Sequence, residues 1–392
     1  MRFPEFSGEW EKTRFENVVS LQRGSSPRPI IEYITKSSDG VNWVKIGDMP
    51  KYGRLVTSTE EKITKEGAKK SRRVNVGDLI LSNSMSYGQP YIMNIDGYIH
   101  DGWFVLKNFE KSFDRDYLCN LLISPAVQNQ YRRLAAGGVV QNISSDLVNS
   151  VIISLPSIKE QQKIASVLNI IDDRIATQRK VIEDFKKLKD AISKSLFSRH
   201  DLLETKVQIS QIGSLKNGYA FQSSSYDSSG EYEIITIANV SGERNIYTEE
   251  CNRIHTLPSD LQSHQELKDG DILISMTGKV GRVSLCKEGK YLLNQRVGLL
   301  QLQAGVNREF VYQALSSRQF ELSMISCGQG AAQMNIGKGD IENFAIPYSS
   351  NPQNLQRISL ILKSYDTLVL TENMRLQLLL GQKQYILSNM FI

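Results

Sequence analysis

An internal repeat constrains this chain more than any other feature. SLQRG at residues 20–24 returns as SLKNG at 214–218, and GDLILS at 77–82 returns as GDILIS at 270–275. DRDYL and NREFV, AAGGVVQNI and GQGAAQMNI, and two long amphipathic stretches share this offset of 193 to 194 residues. One unit of about 195 residues used twice is too long a period for a solenoid array. The sequence therefore predicts two related globular units.

Each repeat ends in a long amphipathic stretch, at residues 155–197 and 351–392. Apolar residues recur at alternating steps of mostly four and three, which predicts one buried stripe on a long helix. The predicted helix-pairing positions are Ile164, Leu168, Ile171, Ile175, Ile182 and Phe185 in the first helix and Ile358, Leu362, Tyr365, Val369, Leu376 and Leu379 in the second. A polar interruption recurs at Gln178 and Glu372. Two equal helices in one register, each attached to the same kind of unit, are predicted to pair as an antiparallel coiled coil.

Burial of the stripe against the adjoining unit alone is the alternative to this pairing. The opposite face carries charge, as at Asp172 and Lys186, which favours the pair. Roughly 40 residues at about 1.5 Å each would give an unbroken helix on the order of 60 Å long. The two helices carry a net charge of +6 and the remainder of the chain about −1.

With 392 residues, 40% of them apolar and 23% charged, the chain fits two or three ordinary globular domains. The predicted boundaries are 1–156 and 206–350 for the globular units, 157–205 for the first helix and a join near 198–204, and 351–392 for the second helix. No apolar run reaches a membrane span of about 18 residues, and no signal sequence is evident, so we expect a cytoplasmic protein.

Each unit has the pattern of an α+β domain. Short apolar runs between Gly, Pro, Asn and Ser predict a strand-rich first part of about 110 residues. A shorter helix is predicted to follow in each unit, over 115–136 and 308–326, with Asp114 and Asn307 as N-caps. A last strand, at 151–155 or 344–346, precedes each long helix.

Catalytic motifs are missing from the sequence. The Gly-Lys pairs at Gly278 and Gly337 lack the first glycine of a phosphate-binding loop, and Gln333 stands where a dinucleotide-binding pattern needs its last glycine. The four histidines lack metal-ligand spacing, and no Asn-Pro-Pro-Tyr or Asp-Pro-Pro-Tyr methyltransferase motif occurs. The four cysteines form no CxxC pair, so we expect reduced, buried thiols. We therefore expect a non-catalytic chain that binds no metal or cofactor.

The densest basic patch is KITKEGAKKSRR at residues 62–73. On a loop, Lys69, Lys70, Arg72 and Arg73 would grip phosphates with salt-dependent affinity, whereas a solvated face is the alternative. The corresponding stretch at 253–268 is not basic. If both units bind DNA, they are therefore expected to bind it through different contacts.

Loops after equivalent strands offer side chains that reach base edges. The candidates in the first unit are Arg23, Ser25, Ser26, Asn83, Ser84, Tyr87 and Gln89, and those in the second are Lys216, Asn217, Tyr219, Thr277, Lys279 and Arg282. Ordinary turn chemistry is the competing explanation, because Gly, Ser and Asn populate any hairpin. Helix capping likewise competes with ligand approach at the glycine loops 137–141 and 328–333.

The arrangement resembles the specificity (S) subunits of type I restriction-modification systems. FPEFSGEWEK near the start, the SLQRG and SLKNG segments, the two GD strands and LPSIKEQQKIASVLNIIDDRI carry the resemblance, which covers the whole chain. In the second copy, Asn354 and Leu355 depart from the first copy's Glu160 and Gln161.

The resemblance implies two target recognition domains that read a bipartite double-stranded DNA target and a helical spacer that joins them. Because the loops differ between the units, we expect the target to be asymmetric. It implies two methyltransferase subunits and two ATP-dependent restriction subunits as partners, with S-adenosylmethionine, ATP and Mg²⁺ bound by those partners. Adjacent readers on one duplex face lie roughly 34 to 36 Å apart, so we expect the helices to be broken or partly overlapped by the domains. A coiled-coil scaffold with protein- or carbohydrate-binding domains is the alternative, and a free-standing methyltransferase is a third possibility.

Overall fold

The short apolar runs of the first half form strands, because β-branched and aromatic residues there lie between turn residues. The computed structural model describes residues 2–83, 88–135, 143–328 and 334–391. The strands are β1 Glu11–Arg14, β2 Ser20–Arg23, β3 Ile34–Thr35, β4 Val41–Val44, β5 Leu55–Val56, β6 Glu61–Ile63, β7 Arg72–Val74, β8 Leu79–Ser82, β9 Pro90–Met93, β10 Gly97–Ile99, β11 Trp103–Lys107 and β12 Ile152–Leu155.

The described strands of this half form three sheets. One has the order β2-β11-β8-β9-β5, a second has the order β3-β6-β4-β10-β7, and β1 pairs with β12. β11 pairs antiparallel with β2 on one side and β8 on the other. Four of its five residues are buried, as expected for an interior strand of the sheet.

Short helices cover this sheet, and they differ from the prediction. They are α1 Lys65–Lys69, α2 Arg115–Ile123, α3 Pro125–Ala135 and α4 Ser145–Ser150, with 3-10 turns at Phe15–Asn17, Ile30–Glu32 and Ile46–Asp48. The Asp114 side chain accepts a hydrogen bond from the Tyr117 amide, which confirms the predicted N-cap. A single helix over 115–136 is wrong, because Ser124 is extended with ψ of 151°. Pro125 follows it, and proline disfavours helical backbone at the preceding residue.

The second half repeats this plan. Its strands are β13 Thr205–Gln208, β14 Gly213–Asn217, β15 Tyr232–Ile235, β16 Asn252–Ile254, β17 Glu266–Leu267, β18 Ile272–Ser275, β19 Val283–Leu285, β20 Tyr291–Leu293, β21 Val297–Leu302 and β22 Ala345–Tyr348. The sheet orders among described residues are β14-β21-β18-β19, β16-β15-β20-β17 and β13-β22. β21 therefore occupies the place of β11.

The helices of the second half also repeat the plan. They are α6 Ile209–Ile212, α7 Arg308–Leu315, α8 Arg318–Cys327 and α9 Lys338–Glu342, with 3-10 turns at Ser223–Ser225 and Ser263–Gln265. Asn307 caps α7 through the Phe310 amide, as predicted. The single helix predicted over 308–326 is wrong, since Ser317 begins a new helix by accepting a hydrogen bond from the Phe320 amide.

Two long helices complete the fold, α5 Ile158–Phe197 and α10 Pro352–Met390. Both are continuous, so the predicted break is not found. The chain divides into two compact units inside both helices: unit 1 is Met1–Lys180 with Met374–Ile392, and unit 2 is Val181–Asn373. Each unit thus holds the beginning of one long helix and the end of the other.

The core of unit 1 shows how the long helices overlap the domain. Ile164 and Leu168 of α5 are buried in one cluster with Phe391, which follows α10. The Tyr117 and Phe391 rings lie 5.1 Å apart. Each fully buried aliphatic or aromatic side chain contributes about 1.5–3 kcal/mol, so this packing ties both helices to the sheet layer.

Unit 2 reproduces this core with the helices exchanged. Ile358 and Leu362 of α10 are buried in one cluster, and Phe197 at the end of α5 packs against it. The Phe197 and Phe310 rings lie 5.7 Å apart. Of the predicted pairing positions, Ile164, Leu168, Ile171, Ile175, Ile182, Ile358, Leu362 and Val369 are buried, and Phe185, Tyr365, Leu376 and Leu379 are half-buried.

Ion pairs give the direction of the helix pairing within each unit. In unit 1, Lys383 pairs with Asp172 at 2.5 Å. In unit 2, Lys189 pairs with Asp366 at 2.5 Å. α5 advances by 17 residues from Asp172 to Lys189, and the partners on α10 retreat by 17 residues from Lys383 to Asp366. The helices are therefore antiparallel and keep one register. Asp172, predicted on the charged outer face, instead takes part in the pairing.

The sequence-based placement of two further residue sets, the basic segment and the cysteines, needs correction. The basic segment 62–73 is not a loop, because it contributes the end of β6, α1 and most of β7. Cys119 and Cys286 are buried as expected, but Cys251 is half-buried and Cys327 is exposed. Cys327 ends α8, where a helix terminus lies at the surface.

Candidate nucleic-acid interface

The two candidate loops of unit 1 leave the same end of one sheet. Arg23 pairs with Phe104, and Ser82 pairs with Trp103, so β2 and β8 end on either side of the beginning of β11. We call residues 23–28, 83 and 100–102 the reading edge of unit 1. These residues are distant in sequence and adjacent in the fold.

The turn at residues 100–102 holds this edge together. The Asn83 amide donates to Gly102 O at 3.0 Å. The Asn83 side chain and Arg23 Nε both donate to Asp101 O, at 2.9 and 3.2 Å. The turn therefore bridges the two loops that the sequence suggested separately, and sequence reasoning missed it.

The Asp101 carboxylate faces the same loops. Ser26 Oγ donates to its Oδ1 at 2.8 Å, and Arg28 Nη2 lies 3.3 Å from its Oδ2. The hydrogen bond from Ser26 is the main cause that lowers the pKa of Asp101. Asp101 therefore presents a fixed, ionised acceptor at the surface. Its only signal in the sequence is a polar residue in the turn directly before a buried strand.

Close backbone approach explains why the SLQRG motif ends in glycine. A Cβ atom on Gly24 would lie 1.9 Å from His100 O, and one on Gly218 would lie 2.3 Å from the Asn294 carbonyl. Neither backbone can move aside locally, so both positions exclude a side chain. The repeated glycine is a requirement of the fold at each edge.

The basic segment adjoins the reading edge of unit 1. Lys69, Lys70, Arg72 and Arg73 are exposed. Ser25 Oγ donates to Lys70 O at 3.0 Å, and Arg72 Nε donates to Arg23 O at 3.2 Å. Exposed cations fixed beside an edge of polar side chains suit phosphate contacts next to base contacts.

The other candidates of unit 1 have different positions. Asn83 is buried and directs its side chain to Asp101 O, so it positions the turn. Gln89 is half-buried, and its backbone amide donates to Ser82 Oγ at 3.0 Å. The predictions at Ser84 and Tyr87 lie outside the described residues, as do those for most of the two glycine loops.

Unit 2 builds the equivalent edge. Asn217 pairs with Gly298 and Ser275 with Val297, so β14 and β18 end on either side of the beginning of β21. The reading edge of unit 2 comprises residues 217–221, 276–277 and 294–296. The Met276 amide donates to Arg296 O at 3.1 Å, matching the bond between Asn83 and Gly102 in unit 1.

The side chains on the unit 2 edge differ from those on the unit 1 edge. Tyr219 donates its hydroxyl to Asp260 at 2.8 Å, and its ring lies 4.9 Å from that of Phe221. Asn217 is exposed and Lys216 is half-buried. This edge therefore presents aromatic and amide groups where unit 1 presents hydroxyls and arginines.

Three further candidates of unit 2 follow β18. Thr277 is buried and donates to Asn335 Oδ1 at 3.1 Å. Arg282 donates to Ser241 O at 3.0 Å, which holds its guanidinium against the domain. Lys279 is exposed. Lys279 is thus the one of these three whose charge is presented to solvent.

The electrostatics of the two units also differ. In unit 2, Arg253 of β16 pairs with Glu233, and no dense cationic segment adjoins the described edge. In the described part of the chain, no group of three or more His, Cys, Asp or Glu residues could hold a metal ion. Among the same residues, no helix has both the length and the hydrophobicity that a membrane span requires.

Comparisons with known proteins agree on one family. The family model described as type I restriction modification DNA specificity domain matches residues 7–186 and 204–380. A putative type I restriction enzyme MjaX specificity subunit of Methanocaldococcus jannaschii is 24% identical over 93% of this chain and 88% of its own length. The MjaVIII specificity subunit of the same organism is 24% identical over 94% and 88%.

Solved structures share the fold over the full length. A structure from work on assembly and conformational transition of the type I R-M system has a TM-score of 0.57 at 17% identity, covering 98% of this chain and 97% of its own. The type I restriction-modification S subunit from M. genitalium has a TM-score of 0.55 at 15% identity, covering 100% and 99%. With its two matched domains and two long helices, the chain belongs to the type I restriction-modification DNA specificity family.

Proposed function

We propose that this chain is the DNA sequence-specificity subunit of a type I restriction-modification complex and that it reads an asymmetric bipartite target. The observation that carries the proposal is the pair of reading edges, which share a backbone frame and differ in side chains. Polar side chains on such an edge can distinguish base pairs in the major groove. Two unlike edges fit two unlike half-sites.

Unit 1 supports the proposal with its electrostatics. Lys69, Lys70, Arg72 and Arg73 are exposed beside the reading edge. Contacts from these cations to phosphates would position the duplex without reading its sequence. The grip on the half-site of unit 1 is therefore more dependent on salt than the grip on the half-site of unit 2.

The long helices are proposed to set the gap between the half-sites. Each unit packs the beginning of one helix and the end of the other into its own core. Inserting one heptad at matched positions in both helices should therefore lengthen the nonspecific gap in the target. An unchanged gap would contradict the spacer role.

Catalysis is assigned to partner subunits. We propose that methyltransferase subunits, which bind S-adenosylmethionine, and ATP- and Mg²⁺-dependent restriction subunits assemble on this chain. Leu360, Leu368, Met374, Leu378 and Tyr385 of α10 are 41 to 74% exposed. Large apolar side chains exposed along one helix suit a protein interface.

The test is co-expression of this chain with a type I methyltransferase subunit, followed by sequencing of methylated adenines. The proposal predicts one bipartite motif with unlike halves, and no methylation when either chain is expressed alone. Failure to copurify with the methyltransferase, or copurification without DNA-dependent assembly, would favour a scaffold. Methylation by this chain alone would identify a free-standing methyltransferase.

A further inference from the structure

We infer that one position in each reading edge, Asp101 in unit 1 and Gln295 in unit 2, selects a base in the half-site of that unit. The inference rests on the proposed function and adds to it the residue and the class of base. Both residues occupy the middle of the turn before the central strand, between the two loops that follow the flanking strands.

The two turns are equivalent in their internal geometry. In residues 100–102, the backbone amide of Gly102 donates to His100 Nδ1 at 2.8 Å. In residues 294–296, the backbone amide of Arg296 donates to Asn294 Oδ1 at 3.3 Å. The carbonyls of Gly102 and Arg296 each accept a backbone amide from the loop after β8 or β18, at 3.0 and 3.1 Å. The middle side chain therefore leaves the same backbone frame in both units.

Asp101 presents only acceptor atoms. Its side chain is 44% exposed, and the Ser26 hydroxyl and the Arg28 guanidinium hold its two oxygens. A carboxylate can accept a hydrogen bond from an exocyclic amino group in the major groove, such as that of cytosine N4. It repels phosphates and carbonyl edges. The half-site of unit 1 therefore contains a cytosine or an adenine opposite this position.

Gln295 presents a donor and an acceptor together. It is exposed, and the hydrogen bond that it forms with the described residues comes from its backbone amide, which donates to Tyr219 O at 2.9 Å. A glutamine amide pairs with adenine through N6 and N7. The exposed Arg296 beside it replaces Gly102 of unit 1 and adds a group that suits guanine. The two units therefore offer different hydrogen-bonding groups to the base pair that this position faces.

The bonds from Arg23 and Asn83 to the turn do not involve the Asp101 carboxylate, because they end on the backbone carbonyls of Asp101 and Gly102. The contacts from Ser26 and Arg28 do end on the carboxylate. Replacing the carboxylate by an amide leaves the bonds to the carbonyls in place and keeps one side-chain acceptor oxygen for the first loop. Asp101→Asn therefore tests the chemistry of the side chain with little effect on the frame.

The experiment uses the full chain in complex with its methyltransferase subunit. Asp101→Asn, Asp101→Ala and Gln295→Ala are compared with the wild type by sequencing of methylated adenines. Binding to duplexes with each base pair of the target replaced in turn is measured in parallel. Glu110→Gln is the matched control, because Glu110 is an exposed carboxylate beyond the opposite end of β11.

The inference predicts relaxed or altered preference at one base pair of one half-site for Asp101→Asn and Asp101→Ala, and at one base pair of the other half-site for Gln295→Ala. Discrimination at that pair should fall roughly 5- to 150-fold. A wild-type complex with a bipartite motif that all three variants retain, with unchanged discrimination in binding, would overturn the inference and leave the proposed function standing. A wild-type complex without a bipartite motif would overturn both.

Discussion

The two reading edges have the same frame and different surfaces. In both units, a glycine at the end of the first strand lets the loop pass close against the turn, and the turn bonds to the loop after the second strand. Unit 1 then carries Asp101 and Ser25 where unit 2 carries Gln295 and Tyr219. The backbone frame is thus shared while the side chains at matched positions differ, so these side chains can diverge while the fold is kept.

The polar clusters on the long helices give a second comparison. In unit 2, Asp366 bonds to Lys189, Arg244 and Gln313. In unit 1, the corresponding Asp172 pairs with Lys383 and Arg54. The Asp366 side chain is 9% exposed and that of Asp172 is 32% exposed. The carboxylate is therefore more deeply buried in unit 2, whereas the cations paired with it are buried to a similar extent in both units.

The largest expected effect is a loss of stability in unit 2. Asp366→Ala removes the carboxylate that pairs with the largely buried Lys189 and one of the two carboxylates that pair with Arg244, which keeps Glu309. We expect it to cost about 3–5 kcal/mol. Asp172→Ala, at the more exposed site, should cost about 1–3 kcal/mol. Urea unfolding gives the free energies, and hydrogen exchange in α7 and α2 assigns them to unit 2 and unit 1.

Asp366→Asn and Asp172→Asn are the matched controls, since each amide keeps the shape and one acceptor. A cost for Asp172→Ala equal to or above that for Asp366→Ala would contradict the difference in burial between the two clusters.

The next effect concerns DNA affinity. Reversing the charges of Lys69, Lys70, Arg72 and Arg73 should weaken binding to all sequences. It should reduce the slope of log affinity against log salt by about 0.9 for each phosphate that these side chains no longer neutralise. Reversal of Arg253 and Lys268, on the corresponding stretch of unit 2, should change the slope far less. Binding measured from roughly 50 to 200 mM salt compares the two charge-reversal variants. Equal changes in their slopes would contradict the proposed difference in phosphate contacts between the units.

The smallest effect is a pH dependence that arises at the turn of unit 1. Burial lowers the pKa of His100, so the folded chain favours the neutral ring, whose Nδ1 accepts the Gly102 amide. Asp101 and Asp48 oppose this shift, and Lys45 adds to it. The stabilisation is present above the ordinary pKa of 6.5 and is lost as pH falls through the lowered value. The turn should weaken by about 0.5–1.5 kcal/mol, the value of one hydrogen bond.

His100→Asn provides the control, because Asn294 holds the equivalent turn in unit 2 without a titrating group. Discrimination by unit 1 should decline below pH 6.5 in the wild type and remain level in His100→Asn. Duplexes altered in one half-site at a time report this difference. The same decline in both proteins would exclude His100 as its cause.

Much of the fold could be predicted from repeats and periodicity. The offset of 193 to 194 residues, the long amphipathic helices and the caps at Asp114 and Asn307 are local or periodic signals, and the structure confirms them. The breaks at Ser124 and Ser316 were missed, since apolar spacing continues across them. Asp172 was misplaced because a charge on a helix face does not show which neighbour approaches it.

The reading edges could be predicted only in part. Loops after equivalent strands were recognised from repeated motifs, but their meeting at one turn depends on strand order, which periodicity does not give. Asp101 and Gln295 carry no motif, and the repeat offset alone does not show that the strand order places each of them between two loops. Burial of Asn83 and Thr277 likewise depends on contacts distant in sequence.

The central claim is that each unit reads its own half of the target. The most direct test replaces residues 1–156 by the first reader of another specificity subunit and maps methylated adenines in cells that also express the methyltransferase subunit. One half of the bipartite motif should change to that of the donor, while the other half and the gap stay as in the wild type. A change in both halves, or in neither, would contradict the claim.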